Sequence, residues 1–141
     1  MDRYNHEGYP DPTASATSEA VAHAEKAERC LPLVYIASPF AGDTERNIIM
    51  ARHYCRVAVS KGCVPLAPHL LYPQFMDDAD KTQRELGIRF ALILLDKCDE
   101  LWCFGGKVSL GMAIEIAKAT YCGIPVRYFN DECKEVTVCG T

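Results

Sequence analysis

Leu33-Val34-Tyr35-Ile36-Ala37-Ser38-Pro39-Phe40-Ala41-Gly42-Asp43 is the stretch that decides the fold. Its first five residues are apolar without interruption and then meet Ser-Pro. That is the pattern of a short strand buried on both faces. Asp43 is an N-cap residue, and a helix is expected from it to about Lys61, with Gly62 as the stop. Ile48, Ala51, Cys55 and Val59 would form that helix's apolar stripe. Cys63–Ala67 reads as a second strand. Pro65 has no N–H for a ladder bond, so this strand belongs at a sheet edge.

The same alternation continues downstream. Pro68–Lys81 is a long loop carrying Asp77, Asp78 and Asp80, and loops of this length in compact domains are often functional. Residues 82–97 form a helical segment. Glu100–Phe104 is a strand closed by Gly105-Gly106. Ser109–Cys122 is a helix stopped by Gly123, Ile124–Phe129 is the next strand, and Val136–Val138 adds a short last one. Strands alternating with helices give right-handed crossovers and a covered parallel sheet. The expected fold is α/β: a flavodoxin-like (Rossmann-like) three-layer sandwich with a sheet of four or five parallel strands. In a strand order 2-1-3-4-5 the ligand crevice lies between the first and third strands, beyond their carboxyl ends. The Ser38–Asp43 and Gly105–Gly111 loops would build it.

Composition narrows the function. The chain has 141 residues, the length of one domain, and a net charge of −4. Without a basic cluster it is a poor nucleic-acid binder. The longest apolar run, Phe90–Leu95, is far short of the ~20 residues of a membrane span. Residues 1–30 read as a flexible arm with a polar helix near 15–29, and residues 31–141 as the domain. No secretory leader is apparent, so the eight cysteines read as reduced thiols of a cytoplasmic protein. No C-x-x-C pair occurs and the four histidines are scattered, so neither a metal nor a cofactor is expected.

Two loops carry candidate chemistry. The loop at Ser38, Pro39, Phe40 and Gly42 meets a helix N-terminus, where free N–H groups favour anions or polar ligands. The alternative is an ordinary connection capped by Asp43. In the second loop, Gly105 and Gly106 allow a sharp turn and Ser109 caps the next helix. Leu110, Ala113, Ile114, Ala117 and Tyr121 share one helical face and read as core. Glu115 leans back over Gly111 toward the cleft, since helical side chains tilt to the N-terminus. The alternative is a solvated Glu115–Lys118 pair. On the helix before the third strand, Leu86, Phe90, Ile93 and Leu94 form one apolar face and Ile88, Ala91 and Leu95 another. One sheet cannot cover both, which points to a homodimer or higher homo-oligomer through this helix; the alternative is a helix covered by the Pro68–Lys81 loop.

The motifs together resemble a family. Tyr35-Ile36-Ala37-Ser38-Pro39-Phe40 is similar to the opening strand and loop of the nucleoside 2-deoxyribosyltransferases. Asp99-Glu100-Leu101-Trp102, followed by Ser109-Leu110-Gly111-Met112-Ala113-Ile114-Glu115, resembles their aspartate strand and S-x-G-x-x-x-E segment. The 2′-deoxynucleoside 5′-phosphate N-hydrolases, and short bacterial and phage proteins of the same superfamily, share these features. The resemblance covers roughly residues 33–129. It implies cleavage or transfer at the N-glycosidic bond of a (deoxy)nucleoside or its 5′-phosphate, with Glu115 as nucleophile. It implies that Tyr35 and Ser38–Phe40 line the sugar and base, that Ser109 and Gly111 hold a 5′-hydroxyl or 5′-phosphate, and that Asp99 supports the site. The family's second catalytic aspartate has no counterpart; Glu85 would replace it, or Arg89 would bind a phosphate. Two other readings are a non-catalytic nucleotide-binding or sensing protein and an N-glycosidase acting on NAD-like dinucleotides.

Overall fold

The computed structural model of the protein describes residues 31–137 together with Ser18, Ala20 and Val21. The chain divides into two units between Leu31 and Pro32. The arm expected over residues 1–30 lies outside the described residues apart from those three, which are helical.

The second unit runs β1 (Leu33–Ala37), α1 (Thr44–Ser60), β2 (Val64–Leu66), α2 (Pro68–Leu71), a 3-10 turn at Tyr72–Gln74, α3 (Lys81–Asp96), β3 (Glu100–Phe104), α4 (Leu110–Tyr121), β4 (Val126–Phe129) and β5 (Glu135–Val136). The strand order is β2-β1-β3-β4-β5, a flavodoxin-like order. β1 pairs in parallel with β2 and β3, and β3 with β4. β5 runs antiparallel to β4, so the sheet is mixed at one edge rather than parallel throughout. β2, with Pro65, is the opposite edge, where a missing N–H costs no ladder bond.

Local chemistry sets the helix limits. Asp43 accepts from the Arg46 N–H to cap α1, Asp80 accepts from Thr82 and Gln83 to cap α3, and Ser109 accepts from Met112 to cap α4. Gly62 and Gly123 follow α1 and α4 at φ +77° and +72°, a left-handed turn that side chains resist. The expected long loop is shorter than it read. Pro68 begins α2, where its missing N–H would be unpaired anyway, and the 3-10 turn follows.

Period-two alternation divides the core. Val34, Ile36, Trp102, Phe104 and Phe129 face α1 and enclose Tyr54 and Ala58. Tyr35, Ala37, Leu101 and Cys103 face α3 and α4 and meet Leu95, Met112 and Ala119. Each fully buried large side chain is worth about 1.5–3 kcal/mol.

Two stripe assignments need correction. On α1 the buried positions are Ala51, Tyr54 and Ala58, and Val59 is exposed. On α4 the residues read as core are outside: Leu110 is 81% and Tyr121 90% exposed, and Ala113, Ile114 and Ala117 are exposed as well. Met112, Ile116 and Ala119 take the sheet instead. The helix is apolar on two sides, so its own periodicity cannot choose between them. α3 behaves as expected of a helix with surplus apolar surface. Ala91, Leu92 and Leu95 meet the core, while Leu86, Phe90 and Ile93 stay exposed.

Candidate functional site

A cavity of about 540 Å³ opens at the carboxyl ends of β1 and β3, on the α3/α4 face. Each wall follows from a local rule. On α3, residues 84, 87, 88, 91 and 92 line it, a stripe of helical spacing. On α4 the first turn and a half lines it, from Ser109 to Glu115. Ser38, Pro39 and Phe40 form the β1 side. His69, Tyr72 and Met76, from α2 and the segment after it, complete the enclosure.

Glu115 lies one turn beyond Gly111 and is neighboured by the Tyr35 hydroxyl, which favours its anion. Tyr35 reaches it because strand alternation turns residues 35 and 37 toward α4. Burial pushes the Glu115 carboxyl up to about 7, and the Tyr35 hydroxyl opposes that shift. Tyr35 is itself raised far above the ordinary phenol range, first by burial and then by the Glu115 charge, so it stays a donor. A half-buried carboxylate beside a buried phenol, facing open volume, can act as a nucleophile or as an acid–base group.

A second polar pair stands nearby. Ser38 Oγ and His69 Nε2 are 3.1 Å apart. Burial lowers the His69 imidazole to about 4, so it is neutral at pH 7. Phe40 meets the His69 ring edge-on at 6.2 Å.

Of the residues expected from the sequence, Tyr35, Ser38, Pro39, Phe40, Ser109, Gly111 and Glu115 converge on this cavity. Gly105 belongs to an adjoining cavity on the other face of the sheet. Gly42, at φ +95°, turns the loop and lines neither cavity. Three expectations are corrected by position. Asp99 stands at the opposite end of β3, where its carboxylate accepts from Leu33 N at 2.7 Å and its own N–H donates to Leu33 O at 2.7 Å. It ties the starts of β1 and β3 together. Glu85 and Arg89 are exposed and lie off the α3 stripe that lines the cavity.

Sequence reading missed His69, Arg84 and Asp78, all of which line the cavity. The signal for Asp78 was present in the acidic cluster. Asp80 is spent on the α3 cap, and Asp77 accepts from Ala79 N at 2.9 Å. Asp78 has no hydrogen bond or ion pair among the described residues, and it faces the cavity. His69 carried no local signal, since its partner is 31 positions away.

Among the described residues no three His, Cys, Asp or Glu side chains converge as a metal-ligand set. No described helix is long and apolar enough to cross a membrane.

Residues 32–129 match the family model described as Domain of unknown function (DUF7768). Among curated proteins there is no match. Among solved structures, the chain is similar to a 2-deoxyribosyltransferase from the psychrotolerant bacterium Bacillus psychrosaccharolyticus. The TM-score is 0.55 at 20% identity, over 70% of this chain and 72% of that one. It is also similar to a conserved protein from Enterococcus faecalis V583, with a TM-score of 0.49 at 20% identity, over 70% and 63% of the two chains. The chain is thus a member of the DUF7768 family, and residues of its second unit carry the α/β fold of a 2-deoxyribosyltransferase.

Proposed function

We propose that the protein cleaves or transfers at the N-glycosidic bond of a nucleoside or nucleotide, with Glu115 as nucleophile. The observation that carries the reading is the half-buried Glu115 beside the buried Tyr35, both lining a nucleoside-sized cavity at the carboxyl ends of β1 and β3. A Glu115 oxygen attacks the anomeric carbon as the bond to the base nitrogen breaks. Asp78 supplies a proton to the departing base, the role expected of Glu85 from the sequence. Water or a second base then attacks the same carbon, its proton passing to Asp78, and the bond to Glu115 breaks to free the carboxylate, as in retaining glycosidases. Tyr35 holds the attacking carboxylate. Ser109 and Gly111, at the N-terminus of α4, face the sugar's 5′ end, where free N–H groups favour a hydroxyl or phosphate. No metal enters the scheme.

The active form in this reading is a homodimer. The exposed apolar residues of α4 support it, because Leu110 and Ile114 are both exposed and part of the cavity lining. A second copy on that face would wall the cavity. Sedimentation of Tyr121→Glu against the unmodified protein tests this, with monomers expected only from the variant.

The decisive assay incubates the protein with nucleosides and 5′-nucleotides of each common base and follows free base. Release by the unmodified protein and none by Glu115→Gln upholds the reading. Ligand binding without release by the unmodified protein replaces it with a nucleotide-binding role.

A further inference from the structure

The adjoining cavity, of about 280 Å³, opens at the same strand ends but on the α1 face of the sheet. Ser38 and Pro39 line both cavities, so the two share a wall. Arg46, Met50 and Tyr54 form one side, because positions four apart on α1 stack along one stripe. Gly106, Lys107 and Asp131 stand opposite.

The enclosure is firm. Tyr54 stacks on Phe104 with ring centroids 4.4 Å apart and planes 13° apart. Asn47 spends its amide group on Phe40 O and Ala41 O, both at 3.0 Å, which ties the rim loop to α1. Tyr54 is only 3% exposed, yet its hydroxyl makes no hydrogen bond among the described residues. No polar side-chain atom is buried without a partner among those residues, so this hydroxyl opens into the cavity it lines. Burial and the Asp131 charge raise the Tyr54 phenol, which keeps it protonated and a donor.

The charges around that donor are mostly positive. Arg46 and Lys107 are not ion-paired among the described residues. Among the described residues these two cations and the phenol have no acceptor, in a chain whose net charge is −4. Asp131 is the carboxylate of the lining, and it suits a ligand that brings a hydroxyl beside its anion. An inorganic cation would meet two like charges here. A phosphate joined to a sugar satisfies all four groups.

We propose that this cavity is an anion subsite for the phosphate or diphosphate of a ligand whose sugar and base occupy the larger cavity. The substrate class becomes nucleoside diphosphates and dinucleotides rather than bare nucleosides. The assignment of the sugar and base rests on the glycosidase reading; the anion subsite does not.

The test is calorimetry on the full chain with inorganic pyrophosphate, with nucleosides, and with the matching nucleoside diphosphates. The unmodified protein should bind pyrophosphate, and should bind a nucleoside diphosphate at least tenfold tighter than its nucleoside. In the Arg46→Ala/Lys107→Ala variant pyrophosphate binding and the tenfold advantage should vanish while nucleoside affinity stays unchanged. Tyr54→Phe keeps the stacked ring and should lose part of the advantage, two- to tenfold. No binding of pyrophosphate, or an advantage that survives loss of both cations, overturns the subsite. Pyrophosphate bound through Arg46 and Lys107, with no base released from any nucleoside, nucleoside diphosphate or dinucleotide, upholds the subsite and overturns the glycosidase reading.

Discussion

The two ends of β3 use acidic side chains in opposite ways. At the amino end, Asp99 is bonded to the Leu33 backbone. Glu100 accepts from the Trp102 indole at 2.8 Å and from Arg127 at 3.3 Å. Arg127 lies 4.9 Å over the Trp102 ring and also bridges to Glu135, at 2.7 Å. At the carboxyl end, Glu115 is half-buried beside the Tyr35 hydroxyl, and Asp78 has no partner among the described residues; both face open volume. An acid whose lone pairs are committed to backbone or arginine holds the fold. An acid that is desolvated, or uncommitted, beside a cavity is free to do chemistry.

The sharpest break of this contrast is Glu115→Gln against Asp99→Asn. The first should lower base release by about 10³-fold or more with ligand affinity kept, because the lost charge acts mainly on the transition state. The second should leave the turnover rate within about twofold, since the Asp99 carboxylate bonds the Leu33 backbone at the far end of the strand. Equal losses in the two variants would erase the distinction between the ends.

Asp78→Asn comes next, with release expected to fall about 10²-fold, the usual worth of a general acid. Glu85→Gln should change nothing measurable. If the order of these two is reversed, the acid is Glu85, off the cavity, and not Asp78 on its rim.

Acidity separates the ends further. Glu115 must be ionised to attack, so turnover should rise with pH through about 7. Stability should move the other way. Between about 4.5 and 7 the folded protein keeps a proton on Glu115 that the unfolded chain has lost, so stability falls as the pH rises through that window. Glu115→Gln removes that loss and should unfold later than the unmodified protein at pH 8 by about 3 kcal/mol, with no such gain at pH 4. Denaturant titrations at the two pH values measure it.

The smallest effect belongs to the amino end. Asp99→Ala should cost about 1 kcal/mol at pH 7, the worth of one exposed charge-assisted bond to backbone. A larger loss would mean that the start of the β1–β3 pair depends on it more than its exposure suggests.

Element order and limits were legible in the chain because they rest on neighbours in sequence. Asp43, Asp80 and Ser109 bond N–H groups two or three residues on. Gly62 and Gly123 permit the turns that end α1 and α4. Pro65 admits only an edge strand. The placing of Glu115 near a cleft also came from local geometry, through Gly111 and the tilt of helical side chains.

Tertiary structure alone decided the rest. α4 has two apolar faces, and only the sheet selected Met112, Ile116 and Ala119 over the stripe from Leu110 to Tyr121. Which aspartate meets the cavity depended on how the segment after β2 folds back, since three acids within four positions look alike until two are used as caps and turn acceptors. Ser38 and His69, 31 positions apart, become partners only when β1 and β2 are paired. Caps and stops are bonds a few residues long and leave a signature in the chain. Burial and cavity walls are made by segments distant in sequence, and nothing local records which of two equally apolar faces the rest of the molecule will cover.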